Sequence, residues 1–485
     1  EAAAAAAAAV HTAELRARPP PAKPVFKLAG GERAAGSVEA RTGDLLGVET
    51  PTFTALTSLC LPLSLRPEVL DSVLQGPRLN QLPIGDVLIR QDRVAACPEA
   101  DEGFGGFWHH LRGNLAYCSF RNPRQNPSVH GGDAVCSVET HGGRKKVGPK
   151  ELCGMQKILR LNIVATPAEE VPIEGCGNRR TVRAVMRAGD WLKEILQAKA
   201  DDPQLSSFDW HVIAGIQGSG DIKLRQKACA AAASWPVSGF WIGGLGYEEP
   251  LATRGKILEA VASALPPSLP RFLPLNSGSP VEVLQAVLMG VDILEVPYPT
   301  QAADKGSALV FSWAMPPGEL SGSEDSAEVA AALAALLPPR GLDVAAPGGE
   351  VNADDGETSA LAAAKAQAEP NAEKRPAPGS TVAAPTLSVQ QLKLKSPEYR
   401  EDFGPISPDS PVQRYSRAYL CHLLEVRELL ATMLLVHHNL YVYRQFFVAI
   451  RHHVRQGSIR RYAAWFMRTQ TSEAVAEPAP GPAPK

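Results

Sequence analysis

Gly239-Phe240-Trp241-Ile242-Gly243-Gly244-Leu245-Gly246 and Gly290-Val291-Asp292-Ile293-Leu294-Glu295-Val296-Pro297-Tyr298-Pro299-Thr300-Gln301 share one grammar. Each is a short apolar run that reads as a buried strand, followed at once by glycines, a carboxylate or a proline-bearing turn. Between them, Ile257 to Leu265 and Val281 to Met289 carry apolar residues at helical spacing, and Gly290 closes the second helix at its C-terminal side. Strand, helix, strand, helix, strand predicts a parallel α/β fold, which places polar chemistry where strands end.

The alternation continues outward. Val147 to Leu161 predicts a helix, Ile163-Val164-Ala165 a strand, Arg179 to Gln197 an amphipathic helix, His211 to Ile216 a strand and Asp221 to Ala233 a helix, so that the pattern spans about Val147 to Trp313. A β-rich segment precedes it. Phe26-Lys27-Leu28 starts the order, a turn at Ala40 to Leu45 leads into Val48 to Phe53, and short apolar runs follow at Asp86 to Arg90 and Leu115 to Phe120. The polar, glycine-rich stretch from Asn122 to Gly148 reads as a long loop or a surface hairpin. No G-x-G-x-x-G follows a first strand, which argues against a dinucleotide fold. The expected class is α/β: a TIM-type (β/α)8 barrel of about 250 residues, with a β-rich N-terminal segment and a C-terminal helical subdomain.

Composition divides the chain further. Residues 1–24 read as a low-complexity tail rather than a trimmed transit peptide, and 25–315 as the main part of the barrel. Residues 316–388, rich in Ala, Pro, Gly, Glu and Ser, read as a disordered insertion in which only Ala327 to Leu337 has helical character. Residues 389–470 form the C-terminal helical part, with two or three packed helices between Tyr415 and Phe466, and 471–485 a second tail. The 485 residues, 45 % hydrophobic, suffice for a large core. The formal net charge of −2 sets no bias toward nucleic acid, yet Arg414 to Arg468 is rich in arginine and histidine and nearly free of acid. No apolar run approaches the roughly 20 residues that span a bilayer. Cys60, Cys97, Cys118, Cys136, Cys153, Cys176, Cys229 and Cys421 form no C-x-x-C pair, the usage of reduced intracellular thiols without metal-binding spacing.

An ordered set of short motifs runs through this frame: Ala40-Arg41-Thr42-Gly43 with Thr50-Pro51-Thr52-Phe53; Gly215-Ile216-Gln217-Gly218 with Asp221 and Leu224-Arg225; Gly243-Gly244-Leu245; Gly290-Val291-Asp292 leading to Pro299-Thr300; and Tyr415-Ser416-Arg417-Ala418-Tyr419-Leu420. In this order and at these distances the set resembles the tRNA-guanine transglycosylases, and among them the non-catalytic accessory subunits of eukaryotic queuine tRNA-ribosyltransferases. The resemblance covers most of 26–315 and 390–470. It implies a barrel whose catalytic members exchange guanine in a tRNA anticodon for a modified base. An aspartate attacks the ribose anomeric carbon and holds a covalent intermediate while a second aspartate shuttles the proton. It assigns contact with the base to Gln217, Gly218, Gly243, Gly244 and Leu245, glycines letting the backbone approach the heterocycle. It also implies a structural zinc held by three cysteines and a histidine, a heterodimer with a catalytic subunit, tRNA and queuine as ligands, and a cytoplasmic location, peripheral at the mitochondrial outer membrane.

The chain departs from that pattern wherever chemistry is expected. The nucleophile position holds Glu295, whose extra methylene moves the carboxylate by roughly 1.5 Å, where a misplacement of about 1 Å can cost ~100-fold. Gln301 and Asp304 stand where catalytic members carry two arginines, and Ala168 and Glu169 where they carry an aspartate and a glutamate. No D-S-G-G-F loop occurs; Phe104-Gly105-Gly106-Phe107 matches it only superficially. The zinc positions fall on Ser407, Asp409, Val412 and His438, of which only His438 matches, leaving a rearranged site of Cys421, His422 and His438 as the alternative. Asp292 and Glu295 on one strand admit an acid–base pair or a structural role. Arg444, Arg451, Arg455, Arg460 and Arg461, with Tyr441, Tyr443 and Trp465, admit an RNA-tracking face or a solvated helix face. The apolar stripe Leu420, Leu423, Leu424, Leu430, Met433, Leu434 and Leu440 admits a core or a partner surface. Two functions compete: a non-catalytic subunit that supports the exchange without turning over alone, and an active transglycosylase that uses Glu295 as nucleophile.

Overall fold

The computed structural model describes residues 12–14, 16, 24–31, 36–122, 135–173, 177–320, 323–338 and 387–473. Its centre is a curled parallel sheet. Leu79–Pro83, Leu115–Ser119, Ile163–Ala165, His211–Ile216, Gly239–Ile242, Arg271–Pro274 and Ile293–Glu295 form a series in which each strand after the first pairs in parallel with its predecessor. Thr52–Phe53 pairs in parallel with Ile293–Glu295, and Ala55–Ser58, one residue further on, with Leu79–Pro83. One stretch of chain thus borders both ends of the series. Short strands buried on both faces need no alternation of apolar and polar residues, which is why they read in the sequence as continuous apolar runs.

Helices separate these strands, as the spacing predicts: Pro149–Leu159, Asn178–Asp201, Ile222–Ala233, Leu251–Ala264 and Pro280–Leu288. Local capping sets where several begin. Asp221 accepts from the Leu224 amide, and Ser279 and Glu282 exchange bonds in a capping box ahead of Pro280. One apolar cluster lies within the curl of the sheet, built from Leu79, Tyr117, Ile163, Ile213, Trp241, Phe272 and Ile293, and it joins Phe26, Leu45 and Val48 of the antiparallel N-terminal strands. A second, larger cluster lies between sheet and helices and continues into Leu429–Arg455 and Ile459–Thr469.

Several expectations change. The run Asp86 to Arg90 is not a strand: Ile84–Leu88 is a helix, and the strand is Leu79–Pro83 before it, disguised by Asn80, Gln81 and Pro83. The helix expected from Ile257 starts at Leu251. Of the stretch 122–148, Cys136–Thr140 and Gly143–Val147 form a hairpin, while 123–134 lie outside the described residues. Within the expected insertion 316–388, Ala327–Leu333 is a helix packed on Ile459–Thr469, and Val329, Leu333 and Leu336 at helical spacing are buried. Residues 339–386, the tails at 1–11 and 474–485, and Cys176 lie outside the described residues, although Thr471–Glu473 pairs with Leu387–Val389. No helix among the described residues is long and apolar enough to cross a membrane.

A buried ion pair ties the N-terminal segment to the sheet. Arg41 Nε and Nη2 donate to the two oxygens of Asp292 at 2.8 and 2.5 Å, and its remaining donors reach the Pro267 and Leu269 carbonyls. Asp292 also accepts from the Arg271 amide at 2.7 Å, so its carboxylate is satisfied inside the protein. Removing one partner strands the other charge in the core. Arg41→Ala is therefore expected to lower unfolding free energy by about 3–5 kcal/mol, read by urea denaturation; a loss below about 1 kcal/mol would contradict the burial.

Candidate functional site

Glu295 ends its strand with no exposed surface. Tyr117 Oη and Trp241 Nε1 each donate to Oε1 at 2.7 Å, and Gln81 Nε2 and Ser119 Oγ to Oε2 at 2.5 and 2.8 Å. The donors come from Leu79–Pro83, Leu115–Ser119 and Gly239–Ile242, so four strands converge on one carboxylate. Four donors fill the main acceptor directions of two carboxylate oxygens. The expected nucleophile position thus holds a satisfied buried group, with no lone pair directed at open space and no second carboxylate among its partners. Burial pushes the Glu295 carboxyl up to about 7, against the Tyr117, Ser119 and Trp241 donors and the Arg121 charge, which all pull it down.

The residues assigned to the base gather beside this knot. Gln217 is buried, and neither oxygen nor nitrogen of its carboxamide has a partner among the described residues. A Cβ on Gly243 would lie 2.1 Å from Gln217 Nε2 and 2.6 Å from the Trp241 ring, so only glycine fits. Gly244, at φ 71°, gives its amide to Glu170 Oε2 at 2.8 Å. Gly218 packs on Arg225, which donates to the Ser219 and Gly243 carbonyls. The Leu245 side chain is in the core and its carbonyl takes Arg121 Nη1 at 2.6 Å. Arg121 is fully enclosed: it also reaches Asn276 Oδ1 at 2.7 Å and Glu170 at 3.3 Å, and lies 4.1 Å over the Tyr247 ring. Glycines, an orphaned amide and a buried Arg–Glu pair share one polar floor at the strand ends.

Sequence reading missed Gln81, Tyr117, Ser119, Arg121 and Glu170. One signal was available: a glutamine inside the buried run Leu79-Asn80-Gln81-Leu82 needs a polar partner. Asp292 does not join Glu295; it serves the Arg41 pair, so the acid–base reading of the two carboxylates fails. Gly103, directly ahead of Phe104–Phe107, lies against Leu159 and Arg160, just ahead of the start of the strand Ile163–Ala165 and so at the opposite end from the glycines. Glu169 is bound by Arg180 and Arg187, while Gln301 donates to the Asn276 carbonyl.

The zinc positions do not fit a metal. His438 is buried with both ring nitrogens engaged: Nε2 donates to the Leu309 carbonyl at 2.8 Å and Nδ1 accepts from Ser410 Oγ at 2.9 Å. Burial lowers its pKa to about 4, which keeps it neutral. Val412 is buried and offers no donor atom and Asp409 is exposed; of the set Cys421, His422 and His438, the Cys421 Sγ lies by the Ser396 carbonyl and Glu425 while both His438 nitrogens are engaged. The hydrogen-bonded brace stands where a metal would. Zinc analysis of the purified protein should accordingly find less than stoichiometric metal and an unchanged Tm in EDTA. His438→Ala should cost about 1–3 kcal/mol with or without chelator; a chelator-sensitive Tm would refute the brace.

The arginines of the C-terminal helices are mostly committed. Arg451 and Arg455 meet Glu49, Arg461 meets Glu324, Arg460 meets Asp325, Arg468 meets Glu319 and Glu328, and Arg444 donates to Leu74 and Gln75. Tyr443 and Trp465 are core residues. Among the described residues each of these arginines has a partner and two of the three rings are buried, so the set is engaged within the protein, not held open for RNA. The stripe is split: Leu420, Leu423, Leu434 and Leu440 are buried, and Leu430 is exposed.

Stability should report the state of Glu295. Its pKa rises from 4.5 to about 7 on folding, so the folded protein binds the proton more tightly and stability falls as pH rises through that window. The loss is on the order of 3 kcal/mol, and the slope should flatten in Glu295→Gln. Urea denaturation from pH 4.5 to 8 distinguishes the two proteins; parallel profiles would mean that the carboxyl is not desolvated.

Residues 112–472 match the family model TGT, Queuine tRNA-ribosyltransferase. The chain is 27 % identical over 458 residues to the queuine tRNA-ribosyltransferase accessory subunit 2 of Xenopus tropicalis, covering 92 % of this chain and 99 % of that protein. It is 26 % identical over 443 residues to the Xenopus laevis accessory subunit 2, covering 89 % and 95 %. A queuine tRNA-ribosyltransferase-like protein of Plasmodium falciparum is 23 % identical over 439 residues, covering 88 % and 96 %. With that family model matched over about three quarters of its length, this chain belongs to the queuine tRNA-ribosyltransferase family.

Proposed function

We propose that the protein is a non-catalytic accessory subunit of a queuine tRNA-ribosyltransferase, supporting exchange of guanine for queuine at the anticodon wobble position. The observation that carries this reading is Glu295, enclosed by four donors at the place where the family keeps its nucleophile. A ribose carbon needs an oxygen with a free approach and a partner acid, and this carboxylate has neither. In this reading the strand series closes as a (β/α)8 barrel, supported by the pairing of Thr52–Phe53 and Ala55–Ser58 with its two ends. Gln217, Gly218, Gly243, Gly244 and Leu245 are then the remnant of the base-contact set, with the unpartnered Gln217 amide the group that queuine would satisfy.

An accessory subunit needs a docking surface. Phe403 is 80 % exposed and Leu429 66 % exposed, with Tyr419, Val426 and Leu430 also open to solvent. Their segments are held together by Arg417 on Asp402 and Arg400 on Glu425. Large apolar side chains at this exposure fit a partner interface, and the catalytic subunit is the partner that the reading supplies.

Base exchange tests the whole reading, with labelled guanine, a tRNA carrying a G-U-N anticodon, and this chain alone or mixed with a catalytic subunit. The expected result is no exchange alone, exchange in the mixture, and association roughly tenfold or more weaker in the double variant Phe403→Asp/Leu429→Asp. Exchange by the single chain that vanishes in Glu295→Ala would instead establish an active enzyme.

A further inference from the structure

The hairpin Cys136–Thr140/Gly143–Val147 carries the charge that the C-terminal helices do not offer. On its first strand Cys136 and Val138 turn inward, but Gly143, Arg144, Lys145 and Lys146 on the second are all exposed. A strand with four successive exposed residues gains little from burial, so its composition answers to solvent or to a ligand. Arg144 is paired across the hairpin with Glu139 at 2.7 Å. Lys145 and Lys146 stand opposite Val138 and Ser137, with no ion pair among the described residues. Lys150 is exposed at the start of Pro149–Leu159. The nearby acids are engaged: Glu151 caps the Gly148 amide, Asp86 accepts from the Leu59 amide, and Glu169 holds Arg180 and Arg187.

The hairpin is seated at the end of the sheet where the base residues lie. It follows the C-terminal end of Leu115–Ser119, whose Ser119 reaches Glu295, and it packs on Ile84–Leu88, the helix directly after Leu79–Pro83. Gly85 permits that contact: a Cβ there would lie 2.2 Å from the Glu139 carbonyl. Cys136, at the hairpin's base, is close enough to Glu169 and Arg187 for their charges to act on its thiol. Arg179, Arg183 and Arg187 recur every four residues on one helix face, and Arg179 and Arg183 are exposed. Cations on a rigid hairpin and on an adjoining helix thus flank the floor that holds Gln217.

We propose that this hairpin, with the exposed arginines of Asn178–Asp201, contacts the phosphodiester backbone of the RNA whose base faces that floor. The inference rests on the tRNA-binding reading above and adds the surface that does the binding. Unpaired lysines attract phosphate without reading sequence, so the contact orients RNA rather than selecting it.

The test uses the full chain mixed with a catalytic subunit and measures tRNA affinity against salt, for wild type, Lys145→Ala/Lys146→Ala and Arg179→Ala/Arg183→Ala. Loss of two phosphate contacts should weaken binding roughly tenfold near 0.1 M salt and make the slope of log K against log salt shallower by about 2, with complex formation intact. A hairpin variant with wild-type affinity and slope would overturn the proposal while leaving the accessory role standing. Failure of the wild-type mixture to bind tRNA would remove both. Unchanged tRNA binding with lost binding to anionic phospholipid vesicles would also overturn it, by assigning the charge to a membrane surface.

Discussion

A carboxylate removed from water must have its oxygens satisfied by the protein, and the arrangement around Glu295 follows from that requirement. Gln81, Tyr117, Ser119 and Trp241 each supply one donor. Because these side chains start on three strands and meet at a fourth, the bonds set the distance across the sheet's interior. Phe272 packs 5.1 Å from Tyr117 and shares the cluster with Trp241, so apolar packing and polar bonding rest on the same rings. Aromatic residues with a polar tip suit this duty: the ring fills volume and the tip reaches the charge.

The same substitution of bonding for chemistry recurs elsewhere. His438 forms a bridge from Leu309 to Ser410, and its neighbour Asn439 extends the bridge, bonding Leu309, Pro299 and Ser307. Helix Leu429–Arg455 is thereby held to the segment that follows the Glu295 strand. Arg41 on Asp292 does comparable work at the other end of that strand. Glu295 and Asp292 are separated by two residues, yet one organises the interior and the other anchors the N-terminal strands. Both carboxylates are fully hydrogen-bonded, yet burial still raises the Glu295 carboxyl to about 7, so its charged form keeps a net cost.

The alternation of strands and helices from Val147 onward was legible because its periodicity reflects burial, which is local in the sequence. The motif order gave the family for the same reason: turns with glycine or proline are fixed by backbone geometry. What stayed hidden was pairing at a distance. Gln81 and Glu295 are far apart in the chain and their contact has no local signature, so the strand Leu79–Pro83 read as polar and was passed over. The C-terminal arginines failed in the opposite sense. As a sequence they form a basic run, but the acids that neutralise them come from Glu49 and from residues 319–328, part of a stretch whose composition reads as disordered apart from the helix at Ala327.

Enclosure alone does not make a residue inert, since a protein can open, so the cost of opening decides. Hydrogen bonds to a charged group contribute about 1.5–3 kcal/mol each after exchange with water. All four would have to separate together, although the same opening relieves the desolvation that raises the carboxyl to about 7. A state presenting Glu295 to a ribose therefore requires the whole donor set to part at once. Its donors cannot move singly either, because Tyr117 and Trp241 belong to the interior packing and Gln81 also bonds Thr54 and the Arg121 carbonyl. The interior carboxylate is therefore a structural element, tying three other strands to its own.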